Sequence, residues 1–209
     1  MNIIVLGAGT FGTAIGNELS VNTENKVVLF SRNQSKVDEI NTFNTNKSCF
    51  PNKHLSQFLS ATTDKKQIAN ADIVFIALPS LVIIENLNTI KEYFKEDVLL
   101  VSLSKGLFPE GVTIVEGIKN LLNTDNIVAL KGPSFAVELM ERSETLLTLG
   151  YKTKRQYELI NRIVNNTALY LDYTTDIRGV EILSGIKNIY ALFIGIVDAK
   201  YNSANSELL

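Results

Sequence analysis

Residues 2–19 constrain the fold more than any other part of the chain. Asn2-Ile3-Ile4-Val5-Leu6 is a short apolar run of the kind that forms a strand buried on both faces. Gly7-Ala8-Gly9-Thr10-Phe11-Gly12 follows at once and matches G-x-G-x-x-G, and residues 13–19 continue with helical spacing that puts Ile15 and Leu19 on one face. Each glycine has its own physical reason. Gly7 permits the tight turn, Gly9 lets backbone approach a pyrophosphate, and Gly12 lets the helix pack against the strand. The free N–H groups and the positive end of the helix dipole then receive the phosphates. The pattern also occurs in structural turns without a ligand, but a strand before it and a helix after it favour dinucleotide binding.

The rest of the chain alternates strands and helices. Residues 26–30 read as a second strand, 34–41 as a helix, and 42–60 as a polar loop holding the only histidine, His54, which is expected to be solvated. A short helix to residue 69 precedes a strand at 73–78 stopped by Pro79-Ser80. A helix at 81–93 and a strand at 98–103 follow. A helix at 111–122, a strand at 127–130, a short helix from 135 and strands at 145–149 and 168–172 flanking a helix at 153–165 complete the pattern. This alternation predicts an α/β fold with one doubly wound, Rossmann-type sheet over residues 1–175. Residues 176–209 read as the first helix of an all-α C-terminal domain. That helix is apolar nearly all round, so it is expected to be buried, with Asp176 as its cap.

Composition excludes some classes. The 209 residues carry a formal net charge of −2, so no nucleic-acid partner is expected. One cysteine, Cys49, allows no intrachain disulfide and fits a reducing cytoplasm, and no metal-ligand spacing occurs. The longest unbroken apolar run, residues 189–197, is too short to span a bilayer, so no membrane insertion is expected. Met1-Asn2 leads straight into the first strand with no basic segment, so no secretory signal is expected.

Three cations stand out. In a βαβ unit the end of the second strand lies beside the adenosine ribose, where an NAD-selective site puts an acid. Here Arg32 stands at that end and the first acid is Asp38. Arg32 can pair with a 2′-phosphate, which tilts the cofactor towards NADP or towards both forms; the competing reading is a solvated surface arginine. Lys105 follows the strand at 98–103, on the edge where open α/β sheets bind ligands. It suits a phosphate or a polarised carbonyl, or it is a solvated loop lysine. Gly132 and Ser134 follow the next strand, where backbone N–H groups and a hydroxyl can hold an anion. Lys187 is the only cation between Arg178 and Lys200 in the apolar helix. A buried ammonium there would have a depressed pKa and a partner, which suits a general base. Alternatively its head snorkels to the surface.

With these residues in hand, the chain resembles the bacterial-type NAD(P)-dependent glycerol-3-phosphate dehydrogenases. The matching stretches are Gly7 to Gly12, Ala77-Leu78-Pro79-Ser80, Ser104-Lys105-Gly106, Gly132-Pro133-Ser134-Phe135-Ala136-x-Glu138, and Gly179-Val180-Glu181 through Gly185-x-Lys187-Asn188. The resemblance implies that Thr10, Phe11, Arg32, Lys105 and Ala136 contact NADP or NAD, and the presence of Arg32 favours NADPH. It implies that Lys105, Gly132 and Ser134 border glycerol 3-phosphate or dihydroxyacetone phosphate, and that Lys187 is the proton acceptor. The implied reaction is hydride exchange at C2 of that substrate, for glycerophospholipid synthesis.

Departures accompany the likeness. Asn44 stands where many members carry arginine, Leu81 follows Pro79-Ser80 where a polar residue is usual, and residues 198–205 lack the usual glycines although Asn205 keeps a familiar position. Members continue into a helical domain, of which this chain is expected to hold only the first helix. Two readings follow: a dehydrogenase of this family, or a dinucleotide-binding protein with little or no turnover. A ketopantoate or hydroxyacyl reductase is a weaker rival, since Gly-Pro-Ser-Phe-Ala would not be expected in it. The apolar helix needs cover, either by packing back on the sheet or by forming a homodimer.

Overall fold

The computed structural model describes residues 1–201, and residues 202–209, with Asn205, lie outside the described part. Strands β1 (Asn2–Leu6), β2 (Lys26–Phe30), β3 (Leu59–Thr62), β4 (Ile73–Ile76), β5 (Leu99–Ser102), β6 (Ile127–Lys131), β7 (Thr145–Gly150) and β8 (Leu169–Thr174) form one sheet. Its order is β3-β2-β1-β4-β5-β6-β7-β8. The first six strands are parallel; β7 turns antiparallel to β6, and β8 runs parallel to β7. The reversal between β3-β2-β1 and β4-β5-β6 creates the topological switch point at which such sheets bind ligands.

The helices are α1 (Thr10–Leu19), α2 (Gln34–Phe43), α3 (Ile83–Asn88), α4 (Ile114–Leu122), α5 (Ala136–Met140), α6 (Lys154–Ile163) and α7 (Ile177–Tyr201). Side chains alternate across each strand, so β1 divides between two cores. Ile3 and Val5 pack with Ile15 and Leu19 of α1, Leu139 of α5 and Ile160 of α6. Ile4 and Leu6 pack on the other face with Ile83 and Leu87 of α3, Ile114 and Ile118 of α4, and Ile177 and Val180 of α7. The expected α/β architecture with helices on both faces is therefore present.

Several boundaries differ from the sequence reading. The stretch read as loop over residues 42–60 ends in edge strand β3, short and half polar, in which Leu59 and Ala61 are buried. The helix expected at 81–93 breaks into a 3-10 turn at Ser80–Val82, then α3, then a second 3-10 turn at Lys91–Tyr93. Asn86 donates to the Val82 carbonyl and the Thr89 hydroxyl to the Asn86 carbonyl, so polar side chains take acceptors that a continuing helix uses. The helix expected from 111 starts at Ile114, because Thr113 and Glu116 form a capping box and Gly111 sits at φ +74 in the preceding turn.

The largest correction concerns α7. Asp176 Oδ1 accepts the Gly179 N–H at 2.8 Å, as the capping reading expected. Its first turns bury Ile177, Val180 and Glu181, but Leu183, Leu192 and Phe193 are exposed, so it is not a buried helix along its length. Over Ile177–Lys200 it is long and apolar enough to cross a membrane by length and composition. Lys187 and Asn188 interrupt this stretch, so its longest unbroken apolar run is residues 189–197. A helix of a soluble core has the same composition.

Candidate functional site at the carboxyl edge of the sheet

The glycine turn is shaped by close contacts. Gly7 has φ +108, and a Cβ there would lie 2.8 Å from the Ala77 carbonyl oxygen. A Cβ on Gly12 would run into the Gly7 carbonyl oxygen, whereas one on Gly9 meets nothing within 4 Å. Packing accounts for the first and last glycines; the open space at Gly9 is where a ligand could approach the backbone. No side chain caps α1 at Gly9, so its first-turn N–H groups have no side-chain acceptor. Thr10 is exposed, and Phe11 is half-buried against the core.

A cleft of about 830 Å³ opens here, lined by Gly7, Gly9, Arg32, Lys36, Lys65 and Pro79 among others. Its size and the uncapped helix end fit an extended anionic cofactor. No carboxylate lines it among the described residues. Arg32 is exposed on this cleft, where the sequence reading placed it.

Two residues here escaped the sequence reading. Lys36 Nζ donates to the Ala8 carbonyl at 3.0 Å, and buried Asn46 donates to the same oxygen at 3.2 Å and to Thr13 Oγ1 at 2.8 Å. Together they hold the turn from outside. Lys36 lies in the first turn of α2 and Asn46 in the asparagine-rich loop, and neither position gave a signal in the sequence.

Along the same edge a second cavity of about 320 Å³ is lined by Lys105, Lys131, Gly132, Thr148, Ser184 and Lys187, among others. Lys105 follows β5, Gly132 follows β6, and Lys187 comes from α7, so three separate elements converge. Burial and then the neighbouring Lys187 ammonium push the Lys105 pKa below the ordinary lysine value. Lys187 itself is half-exposed, not buried, and sits over the Phe135 ring at 5.2 Å from its centroid. The deeply buried lysine of the site is Lys131, which the sequence reading passed over as a strand end. Burial pulls its pKa down to about 8, against the opposing pull of Glu181. Ser134 is buried and Ala136 half-buried at the start of α5, and neither is among the residues lining this cavity. His54 is outside both cavities, and the described residues hold no cluster able to bind a metal.

Residues 2–157 match the family described as NAD-dependent glycerol-3-phosphate dehydrogenase, N-terminus. The glycerol-3-phosphate dehydrogenase (NAD(P)+) of Neorickettsia sennetsu is 33% identical over 94% of this chain and 59% of its own length. That of Bacillus subtilis is 33% identical over 94% of this chain and 58% of its own. The chain thus spans under two thirds of the length of these relatives. In structure it is similar to the glycerol-3-phosphate dehydrogenase of Plasmodium falciparum, with a TM-score of 0.90 and 24% identity over 99% of this chain and 61% of that one. The Coxiella burnetii enzyme gives 0.87 at 24% identity, over 99% and 64%. The chain belongs to the NAD-dependent glycerol-3-phosphate dehydrogenase family.

Proposed function

We propose that the protein interconverts sn-glycerol 3-phosphate and dihydroxyacetone phosphate with NADP or NAD as cofactor, NADPH being favoured, in the service of glycerophospholipid synthesis. The observation that carries this reading is the convergence of Lys105, Gly132 and Lys187 on one cavity along the edge that holds the glycine turn. Its relatives in Neorickettsia sennetsu and Bacillus subtilis, named as glycerol-3-phosphate dehydrogenases, support it.

When bound, the dinucleotide supplies the hydride donor or acceptor. Gly7, Gly9 and Gly12 shape its seat, Thr10 and Phe11 contact it, Phe11 beside the pyrophosphate, and Ala136 lies against it. Arg32 meets the adenosine end, where the absence of a lining carboxylate supports NADPH. Lys105, Gly132 and Ser134 border the substrate, and the Lys105 ammonium balances its charge. Lys187 takes the C2 hydroxyl proton in oxidation and returns it to the carbonyl oxygen in reduction.

In this reading residues 1–175 bind the dinucleotide and residues 176–209 open the helical substrate domain. The exposed apolar residues of α7 support a covering partner, either that domain or a second copy in a homodimer. The single free cysteine, Cys49, is consistent with a cytoplasmic setting. A second reading, dinucleotide binding with little turnover, is favoured by the exposure of α7 over residues 189–196. The test follows NADPH oxidation by dihydroxyacetone phosphate, in the 209-residue chain and in the chain extended by the C-terminal part of the Bacillus subtilis relative. Turnover in the extended chain that Lys187→Ala abolishes while NADPH still binds is the expected result. An extended chain that binds NADPH but never oxidises it overturns the reading.

A further inference from the structure

Lys131 and Glu181 are the most deeply buried ion pair among the described residues, with side-chain exposures of 3% and 1% and a 3.2 Å contact. Lys131 Nζ donates to Ser102 Oγ at 2.9 Å, to the Ser104 carbonyl, and towards Glu181 Oε1. These contacts use all three ammonium donors, so none remains for a substrate. Glu181 Oε2 accepts the Val115 N–H of α4 at 2.6 Å, and Ser102 Oγ donates to Oε1 at 3.4 Å. Ser104 Oγ in turn donates to the Leu78 carbonyl at 2.6 Å, beside the dinucleotide cleft.

The residues next to this network are the ones that line the second cavity. Ser104 precedes Lys105, Lys131 precedes Gly132, and Glu181 lies fewer than two turns before Lys187 on α7. A buried ion pair seldom stabilises a fold more than apolar residues of the same volume. Stability alone therefore does not account for a charged pair at the meeting point of β5, β6, α4 and α7.

We infer that the Lys131–Glu181 pair is a positioning element that locks the Lys105 loop and the Gly132 turn to α7, and so sets Lys105 and Lys187 against each other across the cavity. This rests on the reading of that cavity as the substrate site. Lys131 is a positioning residue and not a catalytic one, because its donors are spent inside the protein.

The test is the double variant Lys131→Met with Glu181→Gln in the 209-residue chain. It removes both charges, keeps the volume, and leaves a carbonyl for the Val115 N–H. Lys131→Met alone strands a buried carboxylate and is expected to melt much earlier. The readout is the pH profile of acetic anhydride acylation at Lys105 and Lys187, located by peptide mass spectrometry. It needs neither cofactor nor turnover, so a failed dehydrogenase assay and a failed positioning role are separable. The expected result is a folded double variant in which Lys105 titrates nearer the ordinary lysine value of 10.5 than in the wild type, because its loop no longer sits against Lys187. A folded double variant in which Lys105 titrates as in the wild type overturns the inference. So does one that fails to fold, since the pair would then serve stability.

Discussion

The Lys187 ammonium lies 5.2 Å from the centroid of the Phe135 ring, joining α7 to the residue that precedes α5. Phe135 is 63% exposed, so the pair forms on the outer side of the site and not in the core. A cation–π contact at an exposed position contributes about 0.5–1 kcal/mol. Phe135→Leu is therefore expected to lower kcat/KM for dihydroxyacetone phosphate roughly two- to fivefold, while Phe135→Tyr keeps it. Steady-state kinetics on the extended chain check this.

Gly9 and Gly12 should separate binding from folding. A Cβ on Gly9 finds open space, while one on Gly12 meets the Gly7 carbonyl and lies 3.1 Å from Ala77 Cβ. Gly12→Ala is expected to cost about 1–3 kcal/mol by overpacking, seen as a Tm lower by several degrees. Gly9→Ala should keep its Tm and lose NADPH affinity, because the new methyl stands where the pyrophosphate approaches. Thermal melts paired with cofactor titration distinguish the two.

Arg32 tests the choice of cofactor. A hydrogen bond to a charged group contributes about 1.5–3 kcal/mol, so Arg32→Ala is expected to weaken NADPH binding roughly tenfold to a hundredfold. NADH binding should change little, since it has no 2′-phosphate to pair. Parallel titrations at one ionic strength give the ratio.

Lys105 carries a pH signature. Its pKa lies below the ordinary lysine value because of burial and the Lys187 charge, so its ammonium is lost at lower pH than that of a surface lysine. Anion binding needs the charged form. Affinity for dihydroxyacetone phosphate should therefore fall as pH rises through this lowered pKa. Lys105→Arg stays charged across the range and is expected to flatten that profile.

Much of this arrangement was legible in the residues themselves. The runs that became β1, β2, β4 and β6 are apolar on both faces, and Gly7, Gly9 and Gly12 announce a turn only glycines suit. Edge strand β3 was not legible, because half of Leu59–Thr62 is polar and, among the described residues, only β2 pairs with it. The state of α7 was misjudged because an apolar helix is buried only where something covers it, and the described residues cover only its first turns. Lys131 was invisible for another reason. Its meaning comes from Glu181, fifty residues later in the chain, and no local spacing links the two.

Residues around the glycine turn are expected to hold NADPH, and calorimetric titration of NADPH into the 209-residue chain measures this. Saturable binding at one site per chain is the predicted result. A chain that is folded by thermal melt yet shows no saturable NADPH binding would contradict the account.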